Sequence, residues 1–163
     1  MILNRQKTVR LATRSLAQFL QKIQRELKLQ RLEVSVAFVS DAEIAGWNQS
    51  YRRKKGPTDV LSFPADGQKA RAQKRLAHKK AAVKSVKRKR DAPTRREKEI
   101  LGDIAIAPAT SRRYAKKNQR SLNDEVRILM LHGVLHLMGY DHESDNGQMN
   151  RIEHRLRRRL GLA

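Results

Sequence analysis

Apolar and polar positions follow two different periods along this chain, and the period of each stretch predicts its local structure. Apolar residues alternate with other residues from Leu32 to Phe38, as expected for a strand, whose side chains point to opposite faces in turn. Shorter apolar runs predict three more strands. These lie at residues 2–5, 59–63 and 101–107.

Five other stretches carry apolar residues three or four positions apart, which is the spacing of the buried face of a helix. The first predicted helix has an apolar stripe from Val9 to Leu27, and Asp145 opens the last, which buries residues 149–160 on one side. Patterns S-x-x-E and S-x-x-D, typical of helix N-termini, begin two of the others at Ser40 and Ser121. The remaining three helices are predicted at 40 to about 52, 108 to about 118, and 121 to about 139.

Few strands among several helices predict an α+β fold, or an α/β sandwich, in which a small mixed sheet packs with about five helices. A chain of 163 residues is long enough to bury the core of one domain, so we expect a single domain over 1–163. The order of the strands does not follow from their spacing. The helix expected to bind zinc lies in the C-terminal third.

Three of the five histidines form the pattern H-x3-H-x5-H: His132, His136 and His142. Residues four apart share one face of a helix, and their imidazoles can tilt to the N···N separation of about 3.3 Å that one tetrahedral zinc requires. Gly139 is typical of a residue that ends a helix in a left-handed conformation, so the turn after it can bring His142 back over the same face. The pattern predicts one zinc ion per chain.

Other interpretations of these histidines are weaker. Ordinary core or surface histidines rarely occur three together at this spacing. A structural zinc site usually has four ligands that include cysteine, and this chain has no cysteine; His154 would have to reach across from the following helix. Zinc proteases with H-E-x-x-H carry a glutamate after the first ligand, where this chain has Gly133. A glycine inside a helix instead indicates close approach by another segment or by a substrate.

The formal net charge of +21 indicates a polyanionic partner, most simply nucleic acid. Apolar runs are too short to span a bilayer and no lipidation motif is present, so a membrane partner is not expected. The first residues lack the apolar stretch of a secretory signal, and the absence of cysteine is compatible with a reducing compartment. We therefore expect a cytoplasmic protein.

Residues 66–99 form a basic insert with fourteen basic and four acidic residues, a net charge of +10. Two interpretations stay open: a flexible, solvated loop between two strands, or an RNA-binding arm that orders on contact. Candidate RNA contacts within the insert are Lys87, Arg88, Lys89 and Arg90.

The run H-G-x-L-H-L-x-G-Y-D-H at 132–142 resembles the signature of the YbeY family, the bacterial single-strand endoribonucleases and rRNA maturation factors. WNQSYRRKKGPTDVLSFP at 47–64 is similar to that family's L-N-x-x-Y-R-x-x-x-x-P-T-D-V-L-S-F-P segment, and LGDIAIAP at 101–108 resembles its L-G-D-I strand. Glu153 follows Met149 as in the family's M-x-x-x-E tail. The resemblance runs from about Ser35 to the C-terminus and is interrupted by the basic insert.

This resemblance implies that the three histidines are metal ligands and that Arg52 is the functional arginine. It further implies a metal-dependent, single-strand-specific endoribonuclease that acts in 16S rRNA 3′-end maturation and ribosome quality control. The implied partners are single-stranded RNA or rRNA and the small ribosomal subunit with its proteins. The alternative is a non-catalytic ribosome-assembly factor that binds RNA and has a structural zinc, followed by a zinc peptidase.

Several neighbouring residues have two interpretations each. Arg52 would hold a phosphate in the planar fork of its guanidinium, or be one more surface cation beside the further RNA-binding candidates Arg53, Lys54 and Lys55. Asp141 precedes a ligand and would hold an imidazole in place, or cap the turn.

The remaining candidates are acidic or aromatic. Asp59 and Asp103 orient groups at strand ends or satisfy backbone amides. Trp47, Tyr51 and Phe63 stack on unpaired bases or, as the low aromatic content of 4% favours, belong to the core.

Overall fold

The computed structural model describes residues 1–65, 99–142 and 145–162. Over these residues it has four strands and five helices, which confirms the predicted α+β fold. The strands are β1 (Ile2–Asn4), β2 (Leu32–Phe38), β3 (Val60–Pro64) and β4 (Glu99–Ile106). The helices are α1 (Thr13–Glu26), α2 (Asp41–Arg52), α3 (Pro108–Lys117), α4 (Leu122–Leu137) and α5 (Gln148–Leu160). The predicted RNA contacts at 87–90 lie outside the described residues.

The four strands form one mixed sheet in the order β1-β2-β4-β3. β2 is parallel to both β1 and β4, whereas β3 is antiparallel to β4. Parallel neighbours require a crossover connection, and α1 provides it between β1 and β2. The mixed sheet is therefore as predicted, and its order is now known.

The basic insert joins the neighbouring ends of β3 and β4. Pro64 is aligned with Gly102, and the Ala65 amide donates to the Leu101 carbonyl oxygen at 3.1 Å. Strand ends that lie side by side need only a short turn between them. The insert is therefore longer than closure of this hairpin requires.

Helix α4, which carries the first two histidines, is the central helix of the molecule. Ten of its sixteen residues are buried, and it packs against α1, α3, α5, β3 and β4. A helix that is apolar on most sides is typical of the interior of a core. The first two predicted ligands therefore lie on an element held from several directions.

A smaller apolar cluster covers the other face of the sheet. Ile44 of α2 packs with Leu61 and Ala105, and the partly buried Trp47 and Phe63 pack against them. The prediction that these two aromatic residues belong to the core is confirmed. Over the described ranges, no helix combines the length and apolar character needed to cross a bilayer.

Both predicted serine caps are present. Ser40 Oγ accepts the Glu43 amide at 3.2 Å, and Ser121 Oγ accepts the Asp124 amide at 3.0 Å. Each side chain satisfies one amide that the first turn of the helix leaves without a partner.

Two predicted helix starts were wrong by a few residues. α1 begins at Thr13, because the Gln6 side chain bonds both the amide and the carbonyl of Val9 at 2.9 Å and holds that residue in a buried loop. α5 begins at Gln148 rather than Asp145. Gly147, with φ of 77°, interrupts the helical backbone, while Asp145 accepts the Met149 amide at 2.7 Å.

Candidate metal centre

The imidazoles of His132, His136 and His142 converge on one point. His132 and His136 lie one turn apart on α4, with their Nε2 atoms 3.1 Å from each other. The ring of His142 lies with its centroid 5.6 Å from that of His132 and 5.4 Å from that of His136. One ligand nitrogen from each residue falls within a group whose members are all less than 4.8 Å apart.

The end of α4 explains how the third histidine reaches the other two. Gly139 has φ of 91°, and its amide donates to the His136 carbonyl oxygen at 2.9 Å. The Tyr140 amide donates to the Leu135 carbonyl oxygen at 3.1 Å. This left-handed turn reverses the chain as the sequence predicted, because glycine adopts positive φ without steric cost.

The three nitrogens fit a metal ion. Their closest pair, at 3.1 Å, is near the separation of about 3.3 Å expected for two nitrogens on tetrahedral zinc. His132 and His136 are half-buried, whereas His142 is exposed, so the group faces solvent on one side. His154 is exposed on α5 and does not belong to this group. Three nitrogen ligands with an open side are typical of catalytic rather than structural zinc sites.

The surroundings favour the neutral imidazole that a metal requires. Burial lowers the pKa of His136, and the neighbouring His132 and His142 lower it further. The Asp141 carboxylate and a hydrogen bond with the Tyr140 backbone oppose this lowering without reversing it. The lowered pKa favours the neutral ring, which is the form in which histidine binds a metal.

Glu153 of α5 was noted in the sequence only as part of the M-x-x-x-E tail, and the structure gives it a place in the site. Its Oε2 lies 2.9 Å from His132 Nδ1, and its Oε1 accepts a hydrogen bond from Arg157 Nη2. Because an ionised carboxylate only accepts, Nδ1 must carry the proton, which leaves the Nε2 lone pair directed at the metal position. A buried acid on the apolar stripe that begins at Met149 was the available signal.

Glu153 is held in its ionised form despite its burial. Desolvation alone would raise the pKa of this carboxyl, but the hydrogen bond from His132, the charge of Arg157 and the further contributions of both residues outweigh it and lower the pKa. The carboxylate therefore persists as an acceptor for His132.

Asp141, the predicted partner of an imidazole, is half-buried beside the centre. Its charge raises the pKa of His136, so it lies close enough to interact with that ring electrostatically. Its role as a hydrogen-bond partner of a ligand stays a prediction.

Gly133 is explained by packing. A Cβ atom at this position would lie 2.9 Å from both Cδ1 and Cγ2 of Ile104 on β4. The Gly133 carbonyl oxygen also accepts a hydrogen bond from Ser62 Oγ of β3 at 3.4 Å. Of the two sequence interpretations, close approach by another segment is therefore confirmed.

The basic run begins at the end of α2. Arg52, the last residue of the helix, and the three cations after it are all exposed. Arg53 takes a left-handed conformation with φ of 55°, and the buried Asn48 donates from Nδ2 to the Gly56 carbonyl oxygen at 3.0 Å. The buried amide thus ties the basic loop to its helix.

Tyr51 corrects the expectation that it belongs to the core. It is 70% exposed, and its ring meets the edge of the Phe63 ring with centroids 5.2 Å apart. Phe63 follows Ser62, whose hydroxyl contacts the Gly133 carbonyl oxygen of α4. Neighbouring residues of a strand point to opposite faces, so the Tyr51 ring lies on the face of the sheet away from α4. Its stacking on a base stays a prediction.

The other acidic candidates act differently. Asp59 accepts the Val60 amide at 2.9 Å and Thr58 Oγ1 at 3.2 Å, which supports the interpretation that it satisfies local donors. Asp103 is exposed on β4, aligned with Phe63 of β3.

Comparison with known proteins identifies one family. The family model described as Endoribonuclease YbeY matches residues 1–161. A curated Endoribonuclease YbeY of Koribacter versatilis is 36% identical over 164 residues, covering 99% of this chain and 86% of the relative. The corresponding protein of Solibacter usitatus is 37% identical over 122 residues, covering 75% of this chain and 62% of the relative.

A solved structure supports the fold. The solution structure of a Thermotoga maritima protein superposes with a TM-score of 0.56 and 22% identity, covering 98% of this chain and 89% of that one. At this identity the likeness shows the architecture alone.

Proposed function

This chain belongs to the YbeY endoribonuclease family and is a hydrolase that acts on RNA, and from that premise we propose a more specific role. The protein cleaves single-stranded RNA, acting in maturation of the 16S rRNA 3′ end and in ribosome quality control. One Zn²⁺ ion per chain is held by His132, His136 and His142.

One observation carries this proposal: two Nε2 atoms on a central helix lie 3.1 Å apart, with a third imidazole turned back beside them. A zinc ion bound there would polarise a phosphoryl oxygen or lower the pKa of a bound water. The chain's own contribution is to fix the direction of the ligands. Glu153 orients His132, and the left-handed turn at Gly139 places His142.

Arg52 is proposed to hold a phosphate of the RNA. It is exposed at the end of α2, and its guanidinium presents paired donors that match phosphate oxygens. Arg53, Lys54 and Lys55 extend this positive surface, and Asp141 is proposed to steady an imidazole.

The basic insert is proposed to add to RNA binding as an arm, within a single domain over 1–163. Its net charge of +10 lies in a connection where a short turn would suffice. The partners proposed are rRNA and the small ribosomal subunit with its proteins, in the cytoplasm.

The alternatives are disfavoured. A structural zinc in a non-catalytic assembly factor would be expected to have a closed set of ligands, whereas His142 is exposed. A peptidase of the H-E-x-x-H type would need a carboxylate after His132, where Gly133 packs under Ile104.

Cleavage of a single-stranded RNA by purified protein tests the proposal. We expect His132→Ala and Arg52→Ala to reduce the rate by at least about a hundredfold, since the first removes a metal ligand and the second a phosphate contact. Arg112→Ala serves as the matched control, because Arg112 is also an exposed arginine on a helix. Melting temperatures show that each variant is folded. Full activity in both site variants would reject this site.

A further inference from the structure

We infer that a second phosphate-binding site lies beside the metal centre, in a cleft lined by Arg120, His154, Arg157, Arg158 and Leu162. Its ligand is a backbone phosphate of the RNA strand, remote from the cleaved bond. The inference rests on the proposed function, because it assumes RNA as the substrate. We call this feature the arginine cleft.

The arginine cleft is large enough for a nucleotide phosphate and its sugar. Its volume is about 460 Å³, within the range of about 300–1,000 Å³ that is usual for small-ligand sites. Three of its five lining residues are arginines, and a fourth is a histidine. These side chains give the cleft a cationic border.

Two of the arginines are held in place by buried carboxylates. Arg120 Nη1 lies 3.3 Å from Glu125 Oε2, and Arg157 Nη2 donates to Glu153 Oε1. Glu125 and Glu153 are only 5% and 6% exposed, so they anchor the arginines from below rather than meet a ligand. A guanidinium has five N–H donors, and each of these ion pairs uses one of them.

Donors therefore remain for a ligand. Arg157 Nε is buried and has no hydrogen-bond partner in the part of the chain that the structure describes. Because this nitrogen is buried, the donors that a ligand meets are the remaining Nη groups of Arg157 and Arg120. Arg158 is exposed at the same cleft and carries a full positive charge.

The arginine cleft is linked directly to the metal centre. Glu153 binds Arg157 through one carboxylate oxygen and His132 through the other. Along α4, Glu125 and His132 are seven residues apart, which is about 10 Å at 1.5 Å per residue. A strand that places one phosphate at the metal centre therefore has another within reach of the cleft.

Helix electrostatics alone do not account for this arrangement. Arg157 and Arg158 lie in the last turn of α5, where cations commonly offset the negative end of a helix. That reason does not extend to Arg120, which precedes α4 in a different part of the chain yet lines the same cleft. Convergence from two elements points to a shared ligand.

Arg158→Ala tests the inference in the zinc-loaded protein. Fluorescence anisotropy with a labelled single-stranded RNA, recorded before products accumulate, gives affinity as a function of salt. We expect about a fivefold loss of affinity, and a log–log salt slope smaller by about 0.7, the value for one single-strand phosphate. Arg158→Lys should retain most of both, and Arg14→Ala, an exposed arginine on α1, should change neither.

A set of RNAs with one neutral methylphosphonate each locates the contact. At one position away from the cleaved bond, the methylphosphonate should weaken RNA binding to the parent protein. The same substitution should not weaken RNA binding to Arg158→Ala further. The arginine cleft is rejected if Arg158→Ala binds RNA as Arg14→Ala does. It is also rejected if Arg158→Ala loses the same factor of affinity for every methylphosphonate RNA, whatever the position of the neutral group. Preferential binding of a polyglutamate peptide that depends on Arg158 would also reject it, in favour of a protein partner.

Cleavage of the same RNAs, followed in parallel on gels, separates the two claims. If one methylphosphonate position depends on Arg158 but no RNA is cleaved, the proposed function is wrong and the arginine cleft is supported. If the RNA is cleaved normally but no methylphosphonate position depends on Arg158, the proposed function is supported and the arginine cleft is wrong.

Discussion

At the scale of single residues, the ring nitrogen that carries the proton decides whether His132 can bind a metal through Nε2. Its Nδ1 faces Glu153 at 2.9 Å, so in the neutral ring the lone pair is on Nε2, which lies 3.1 Å from Nε2 of His136. Two lone pairs at this distance repel each other unless a cation or proton lies between them. A hydrogen bond between the two rings or a bound cation satisfies both nitrogens, and Glu153 is a positioning residue that turns Nε2 of His132 towards His136.

Replacement of Glu153 should weaken metal binding. We expect Glu153→Ala to lower zinc affinity by about 10–100-fold, as is usual for partners of metal-binding histidines. Glu153→Gln should lose less, because its amide oxygen still accepts from Nδ1. Competition against a chromophoric chelator measures the affinity.

Glu26→Ala is the matched control, since Glu26 also forms an ion pair with an arginine, at 3.0 Å to Arg159, but far from the histidines in sequence. An equal loss of affinity in Glu26→Ala and Glu153→Ala would mean that Glu153 acts only on stability.

The histidine cluster could be predicted from sequence, whereas the contact of Glu153 with His132 could not, for a physical reason. His132 and His136 share a face by helical geometry alone, and the glycine turn is a local signal that extends the group to His142. Glu153 is twenty-one residues from His132, on another helix. Their contact depends on how α4 and α5 pack, which no local pattern specifies.

At the scale of elements, α4 is fixed by close contact with the sheet. Its serine cap and glycine end were predicted because both satisfy backbone groups of the helix itself. The predicted start of α1 was wrong because Val9 has helical spacing, but the Gln6 side chain forms hydrogen bonds with its amide and carbonyl. Hydrogen bonds from a side chain to the backbone compete with helix formation, and the spacing of apolar residues does not show them.

Two helical glycines should respond oppositely to alanine. Gly133→Ala should destabilise the protein by about 1–3 kcal/mol, because the new Cβ would lie 2.9 Å from the Ile104 side chain in a packed core. Gly46→Ala in α2 meets nothing within 4 Å and should stabilise it by about 0.4–1 kcal/mol. Urea unfolding of both variants gives the free energies, and stabilisation by Gly133→Ala would contradict the packing described for α4.

At the scale of the whole molecule, charge and topology act together. The net charge of +21 is shared between the compact domain and one long connection between neighbouring antiparallel strands. Strand order was not predictable, because the parallel pairing of β2 with β4 joins segments more than sixty residues apart. The mixed character of the sheet followed from the number and spacing of the elements, which are local properties.

Replacement of residues 66–98 by a short turn should separate folding from RNA binding. The ends of β3 and β4 are already paired, so we expect the melting temperature and zinc affinity to stay close to those of the parent. Removing fourteen basic and three acidic residues lowers the net charge from +21 to +10, so RNA affinity and its salt slope should fall. Unchanged RNA affinity would favour the plain loop over the arm.

Anomalous diffraction at the zinc edge, from crystals of the protein loaded with one equivalent of zinc, tests the central claim most directly. The structure predicts one strong peak at about 2.0–2.1 Å from Nε2 of His132, Nε2 of His136 and a ring nitrogen of His142. A peak located elsewhere, or three imidazoles turned away from one another under these conditions, would contradict it.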